Sequence, residues 1–251
     1  VAEHVGRIVG RFVADHVASV YGVGPDRLRL IPRGVDVSRF DPDSISPERL
    51  VRLMQAWRLP DSAQTVLLPG RLTRWKGQTV LIEALARIEH GGLRCVLVGS
   101  DQGRSAYRTE LENAIVRHGL GDTVQIVGHC RDMAAAYMLA DVVVSASTEA
   151  EAFGRVIAEA QAMGRPVIAS DHGAARETVI PGVTGWLVPP GDASALADAL
   201  REALAIDGET RAQLARQAIQ HVRDNFTREL MCNRTLAVYR EVLAARQRAV
   251  P

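Results

Sequence analysis

Aromatic residues are scarce in this 251-residue chain, at 4%. Its interior must therefore be built from Ala, Val, Leu and Ile rather than from large rings. Cysteine is nearly absent. Cys95, Cys130 and Cys232 are widely spaced, odd in number and form no CxxC pair. That excludes a disulfide framework and fits a reducing compartment. No apolar run reaches the roughly 20 residues that a membrane span needs, and no signal-peptide pattern opens the chain. An excess of one charge is also missing. Thirty basic against twenty-nine acidic residues leave a net charge of +1, without the basic surplus of a nucleic-acid binder. No His pair has the spacing of a zinc site. No Gly-x-Gly-x-x-Gly follows the first regular strand, which argues against a NAD-dependent dehydrogenase. The chain lacks a starting Met and opens in a helical pattern, so it is expected to be a fragment.

What is present is ordinary for a globular protein: 47% apolar and 24% charged residues. From Val1 to Tyr21, Val5, Ile8, Phe12 and Val13 fall at helical spacing, and Gly22 and Gly24 end the run. A short strand is expected over Leu28–Ile31, then an irregular hinge over 32–47 rich in Pro, Asp, Ser and Gly. Asp41-Pro-Asp43 lies in that hinge and is read as part of it, not as a metal site. Pro47 suits the first turn of a helix running to about Trp57. From Gln64 the pattern turns regular. Apolar strands at 65–69, 94–98, 124–127, 142–146, 166–169 and 185–188 alternate with helices near 77–90, 104–118, 131–139, 154–163, 173–179 and 192–205. Buried strands between helices predict a six-stranded parallel sheet covered on both faces, in an α/β, Rossmann-like, doubly wound fold. Two helices near 208–224 and 227–247 close the chain, the second capped by Thr227.

In a doubly wound sheet of order 3-2-1-4-5-6, ligands bind beyond the carboxyl ends of strands 1 and 4. Here strand 1 runs into Gly70, Arg71, Trp75, Lys76 and Gly77, and strand 4 runs into Ser147, Glu149, Glu151, Phe153 and Gly154. Arg71 offers planar bidentate donation to phosphate and Lys76 a mobile point charge. Two solvated surface cations would look the same in sequence. A helix starting near Gly154 would present free N–H groups to an anion, and glycine there allows close approach. Glu151 before that helix and Glu159 within it could flank a bound phosphate. An acid near a helix N-terminus is also favourable for its own sake, which accounts for either glutamate singly.

Gly70-Arg71-x4-Lys76-Gly77 followed by Glu151-x7-Glu159 resembles the retaining GT-B glycosyltransferases of family 4, the "group 1" family. The hinge Ile31 to Phe40, the segment Gly173-Ala-Ala-Arg-Glu177 and the stretch Gly182-Val-Thr-Gly185-Trp-Leu-Val-Pro189 resemble further signatures of that family, in the same order. Two positions depart from its pattern: Ala152 replaces a glycine, and Gly99-Ser-Asp101-Gln-Gly103 replaces Gly-x-Gly.

The resemblance implies a domain plan. Residues 1–31 would end a truncated N-terminal acceptor domain, 32–47 would be the hinge, 48–226 the nucleotide-sugar domain, and 227–251 a helix crossing back. It also implies roles. Arg71 and Lys76, beside Gly70, would contact the donor diphosphate, Glu159 the ribose, and Glu151 the hydroxyls of the transferred sugar. Phe153, Gly154, Arg155 and Val156 would supply backbone N–H groups. Gly99, Gly128 and His129 would lie near the base. The implied reaction needs neither cofactor nor metal. It moves a hexose with retention from a UDP-, GDP- or ADP-sugar to a glycan or lipid-linked acceptor, in polysaccharide or lipopolysaccharide synthesis. Glu151, Arg71 and Lys76 would be its catalytic groups, and the fragment alone would turn over poorly. A cytoplasmic protein with peripheral contact at the inner membrane face is the matching location. A sugar-nucleotide epimerase and a non-catalytic nucleotide-binding module are the competing readings.

Overall fold

The computed structural model describes residues 6–8, 10–89, 91–103 and 105–248. Six parallel strands form one sheet: β3 (Gln64–Pro69), β4 (Leu93–Val98), β5 (Val124–Val127), β6 (Val142–Ser145), β7 (Val167–Ser170) and β8 (Gly185–Val188), after two short strands described below. Their order is β5-β4-β3-β6-β7-β8. This is the 3-2-1-4-5-6 doubly wound order on which the placement of the crevice depends. The chain reverses its direction of winding between β3 and β6, so the crevice opens above their carboxyl ends.

Strand residues alternate between two cores. Val66, Leu68, Cys95, Leu97, Val142 and Val144 face one side, with helices α3 (Gln78–Leu85), α4 (Ser105–Arg117) and α8 (Ala193–Ala205). Leu67, Val96, Val98 and Val143 face the other, with α5 (Met133–Leu139), α6 (Arg155–Ala162) and Val222 of α9 (Gly208–Asn225). The helices are set by their starts. Asp132, Asp192 and Asp207 each accept a backbone N–H in the first turn that follows, satisfying donors a helix cannot pair itself. Pro47 opens α2 (Pro47–Ala56), and Arg49 of α2 ties to Asp132 through two hydrogen bonds of 2.9 and 2.7 Å.

The opening segment differs from the single helix expected of it. Gly6–Ile8 is a strand, β1, paired in parallel with β2 (Leu28–Leu30), and α1 (Arg11–Tyr21) begins only after an extended Gly10. The parallel partner lies about twenty residues downstream, and Gly6 and Gly10 disfavour helix where the apolar spacing suggested it. Residues 1–5 lie outside the described residues, and Val5 with them.

The irregular stretch 32–47 is anchored at two points, where Val35 and Phe40 are buried. Val35 bridges Thr227, its N–H donating to the Phe226 carbonyl at 2.7 Å while Arg228 N–H donates back at 2.9 Å. Thr227 caps α10 (Arg228–Arg248), as expected, through a 3.1 Å bond from Leu230 N–H. Among the described residues no helix is long and apolar enough to cross a membrane.

Candidate functional site

The two loops singled out in the sequence interlock. After β3, Gly70 N–H donates to Val98 and Leu72 N–H to Ser100, at 2.8 and 3.1 Å. A Cβ at Gly99 would lie 1.8 Å from the Gly70 carbonyl oxygen, so only glycine lets the ends of β3 and β4 touch there. Buried Gln78 reaches back from α3, its amide donating to the Arg71 carbonyl at 2.8 Å. Arg74–Lys76 form one tight helical turn that ends in Gly77, whose φ of +71° is left-handed. From the opposite loop, Thr148 N–H donates to the Trp75 carbonyl at 2.7 Å.

Trp75 organises the cations. The Lys76 ammonium lies 4.4 Å from its ring centroid and the Arg71 guanidinium 6.0 Å, both within cation–π range. Lys76 also donates to Glu151 Oε1 at 2.8 Å, with side chains 13% and 21% exposed. Such a pair is better shielded from salt than a surface bridge. Beyond Glu151, Gly154 adopts a left-handed φ of +66° and starts α6.

Gly70, Arg71, Gly99, His129, Arg155, Val156 and Glu159 line one cleft of about 410 Å³. The stem of Lys76 runs beside Gly70 at its edge. Glu151 and Gly154 line a much smaller cavity with Ser147 and His172. Gly128 precedes the lining residue His129 but is not itself among the cleft's walls. The Phe153 ring is buried and packs edge-on against Phe226, with centroids 5.9 Å apart, so only its backbone is left for a ligand. Asp41 spends its carboxylate locally, accepting from Asp43 N–H at 3.2 Å.

Glu159 has a partner that sequence reasoning missed. The fully buried Tyr137 on α5 donates its hydroxyl to Glu159 Oε2 at 2.9 Å, while Arg155 stands 3.7 Å from Oε1. Burial pushes the Glu159 carboxyl above its ordinary range, against the opposing pull of Tyr137, Arg155 and Arg39. Burial, reinforced by the Glu159 charge, raises the Tyr137 phenol as well. Tyr137 sits in an Ala-rich helix where an aromatic reads as core, and Arg39 lies in the irregular hinge. Neither carries a local motif that would have found it. Tyr137→Phe keeps the packing on Phe40 but strands a desolvated carboxylate oxygen. The expected loss is about 1–2 kcal/mol of unfolding free energy, read as a lower urea midpoint at unchanged slope; an unchanged midpoint would contradict this account of the pair.

Residues 52–221 match the family profile "Glycosyl transferases group 1". The D-inositol 3-phosphate glycosyltransferase of Xylanimonas cellulosilytica is 37% identical over 205 residues, covering 80% of this chain and 48% of that protein. A glycosyltransferase crystal structure from Rickettsia africae superposes with a TM-score of 0.93 at 34% identity, covering 96% of this chain and 64% of the other. The Anabaena protein HepE, solved in complex with UDP and glucose, gives a TM-score of 0.84 at 28% identity, covering 93% and 62%. The chain spans about half the length of the curated relatives it matches. With well over half of its residues matched by the profile, the chain belongs to the glycosyl transferases group 1 family.

Proposed function

We propose that this chain is the donor-binding part of a retaining, metal-independent glycosyltransferase. It would move a sugar from a nucleoside diphosphate to a glycan or lipid-linked acceptor. The observation that carries this reading is the meeting of Arg71, Arg155, Val156 and Glu159 in one cleft, with Lys76 at its edge. The named activity of the inositol-phosphate glycosyltransferase relatives and the UDP-glucose complex of HepE support it.

As the glycosidic bond breaks, negative charge grows on the departing diphosphate. Arg71, Lys76 and the free N–H groups at the start of α6 are fixed donors for that charge. Two cations at this position supply the neutralisation that a divalent ion would otherwise bring. The sugar carbon gains oxocarbenium character. We assign the acceptor's proton to a donor phosphate oxygen on the same face, which gives retention. Glu151 then orients sugar hydroxyls and forms no covalent bond. Glu159 would hold the ribose hydroxyls, and Gly99, Gly128 and His129 would border the base. The acceptor would come to the remainder of the protein, so the chain alone is expected to bind donor and transfer poorly.

A thermal-shift series in EDTA tests this, using UDP, GDP, ADP and their glucose conjugates. One nucleoside diphosphate at about 100 times its Kd should stabilise the chain by about 2.7 kcal/mol, roughly 5–10 °C at this size. Glu159→Ala should weaken nucleotide and conjugate alike. Glu151→Ala should weaken only the conjugate. A shift that needs added magnesium, or none with any ligand, would overturn the proposal.

A further inference from the structure

The small cavity beside Glu151 is lined by Ser145, Ser147, Ser170 and His172 together with the apolar Ile157 and Ala175. Two of these act on the Glu151 loop directly. Ser147, 2% exposed, donates its hydroxyl to Glu151 Oε1 at 2.5 Å. The His172 ring, through Nε2, meets the Ser147 carbonyl at 2.8 Å. A carbonyl only accepts, so Nε2 carries the proton. The same turn also grips the loop by its backbone. Ala174 N–H donates to the Glu151 carbonyl at 3.0 Å, and a Cβ on Gly173, at φ +56°, would lie 2.6 Å from that carbonyl oxygen.

Both donors to the Glu151 carboxylate, Ser147 and Lys76, converge on Oε1. Among the described residues none donates to Oε2. We infer that Ser147 and His172 are positioning residues, which lock Oε1 and so present Oε2 to a hydroxyl of the transferred sugar. The inference rests on the donor reading above and adds a division within it. His172 fixes the Ser147 backbone, Ser147 fixes the carboxylate rotamer, and the carboxylate selects a sugar with a hydroxyl in reach. None of the three groups lines the cleft that holds Arg71 and Glu159; among the described residues the carboxylate's one link to the diphosphate side is Lys76, which the Trp75 ring also holds in place.

Calorimetric titration of the chain with UDP, GDP, ADP and their glucose conjugates separates the possibilities. Ser147→Ala and His172→Ala should each weaken the conjugate about tenfold, the loss of roughly one charge-assisted hydrogen bond, and leave the free nucleotide within about twofold. His172→Gln, whose amide N–H can replace Nε2–H, should restore conjugate binding. Should His172→Ala prove unfolded, Ser147→Ala and His172→Gln still decide. Conjugate affinity unchanged in Ser147→Ala, equal losses for nucleotide and conjugate, or no recovery in His172→Gln would each overturn the inference. A parent chain that binds none of the six ligands would instead overturn the donor reading beneath it.

Discussion

Lys76→Ala is expected to weaken nucleoside-diphosphate binding about 100-fold, roughly 2.7 kcal/mol. The size follows from where the ammonium sits. It is held over the Trp75 ring and against Glu151, with its side chain 13% exposed. A charge-assisted hydrogen bond to phosphate contributes about 1.5–3 kcal/mol, and a desolvated, pre-placed cation falls at the upper end of that range. If the full-length protein transfers sugar as proposed, the effect on turnover should be larger, about 10²–10³-fold, because the charge assigned to Lys76 would grow in the transition state. Lys76→Arg should not restore either quantity. The ammonium is a compact point charge 4.4 Å from the Trp75 centroid and 2.8 Å from Glu151 Oε1, a placement that a planar guanidinium on a longer stem does not reproduce. Arg71→Ala should cost less, since Arg71 is exposed and farther from the Trp75 ring centroid, at 6.0 Å against 4.4 Å for Lys76. Calorimetric Kd values check the order: a loss below threefold for Lys76→Ala would remove the ammonium from the diphosphate site.

The sheet was legible because burial on both faces leaves a strong mark. Apolar runs such as Val66 to Leu68 and Cys95 to Val98 alternate with helix-length segments, which marks a doubly wound parallel sheet; the β5-β4-β3-β6-β7-β8 order is one of the orders that such a pattern allows. From the order alone, the loops after β3 and β6 had to share a crevice. Arg71, Lys76, Glu151 and Glu159 were legible as a group for the same reason. What was not legible depends on contacts distant in sequence. β1 exists because Leu28–Leu30 runs beside it, and three residues are too few to show a period. The helix expected over 77–90 is α3 over Gln78–Leu85, followed by turn through Ile88. Tyr137, Ser147 and His172 are ordinary residues in ordinary patterns. Their importance lies in one hydrogen bond each, to a carboxylate or a carbonyl that the fold brings beside them.

Gly77→Ala is expected to be severely damaging, because close backbone overlap and a left-handed φ coincide there. The residue has φ +71°, and its Cβ would lie 1.8 Å from the Ala146 carbonyl oxygen. The left-handed conformation alone costs a non-glycine residue about 1–2 kcal/mol. The overlap is with backbone, which cannot swing aside as a flexible side chain would. Ala146 belongs to the stem of the Glu151 loop, so relief of the clash must push the cationic turn away from that loop. The expected loss of unfolding free energy is at least about 3 kcal/mol, with nucleotide binding lost alongside. Two other glycines calibrate this. Gly92, at φ +77° with nothing within 4 Å of its Cβ, isolates the backbone strain, so Gly92→Ala should cost about 1 kcal/mol. Gly128 has open space and no left-handed φ, so Gly128→Ala should fall within about 0.5 kcal/mol of the parent. Urea unfolding of the three variants should rank them Gly77, Gly92, Gly128. If Gly77→Ala stood level with Gly92→Ala, the contact between the cationic turn and the β6 loop would be loose, and the cleft could not be pre-formed by it.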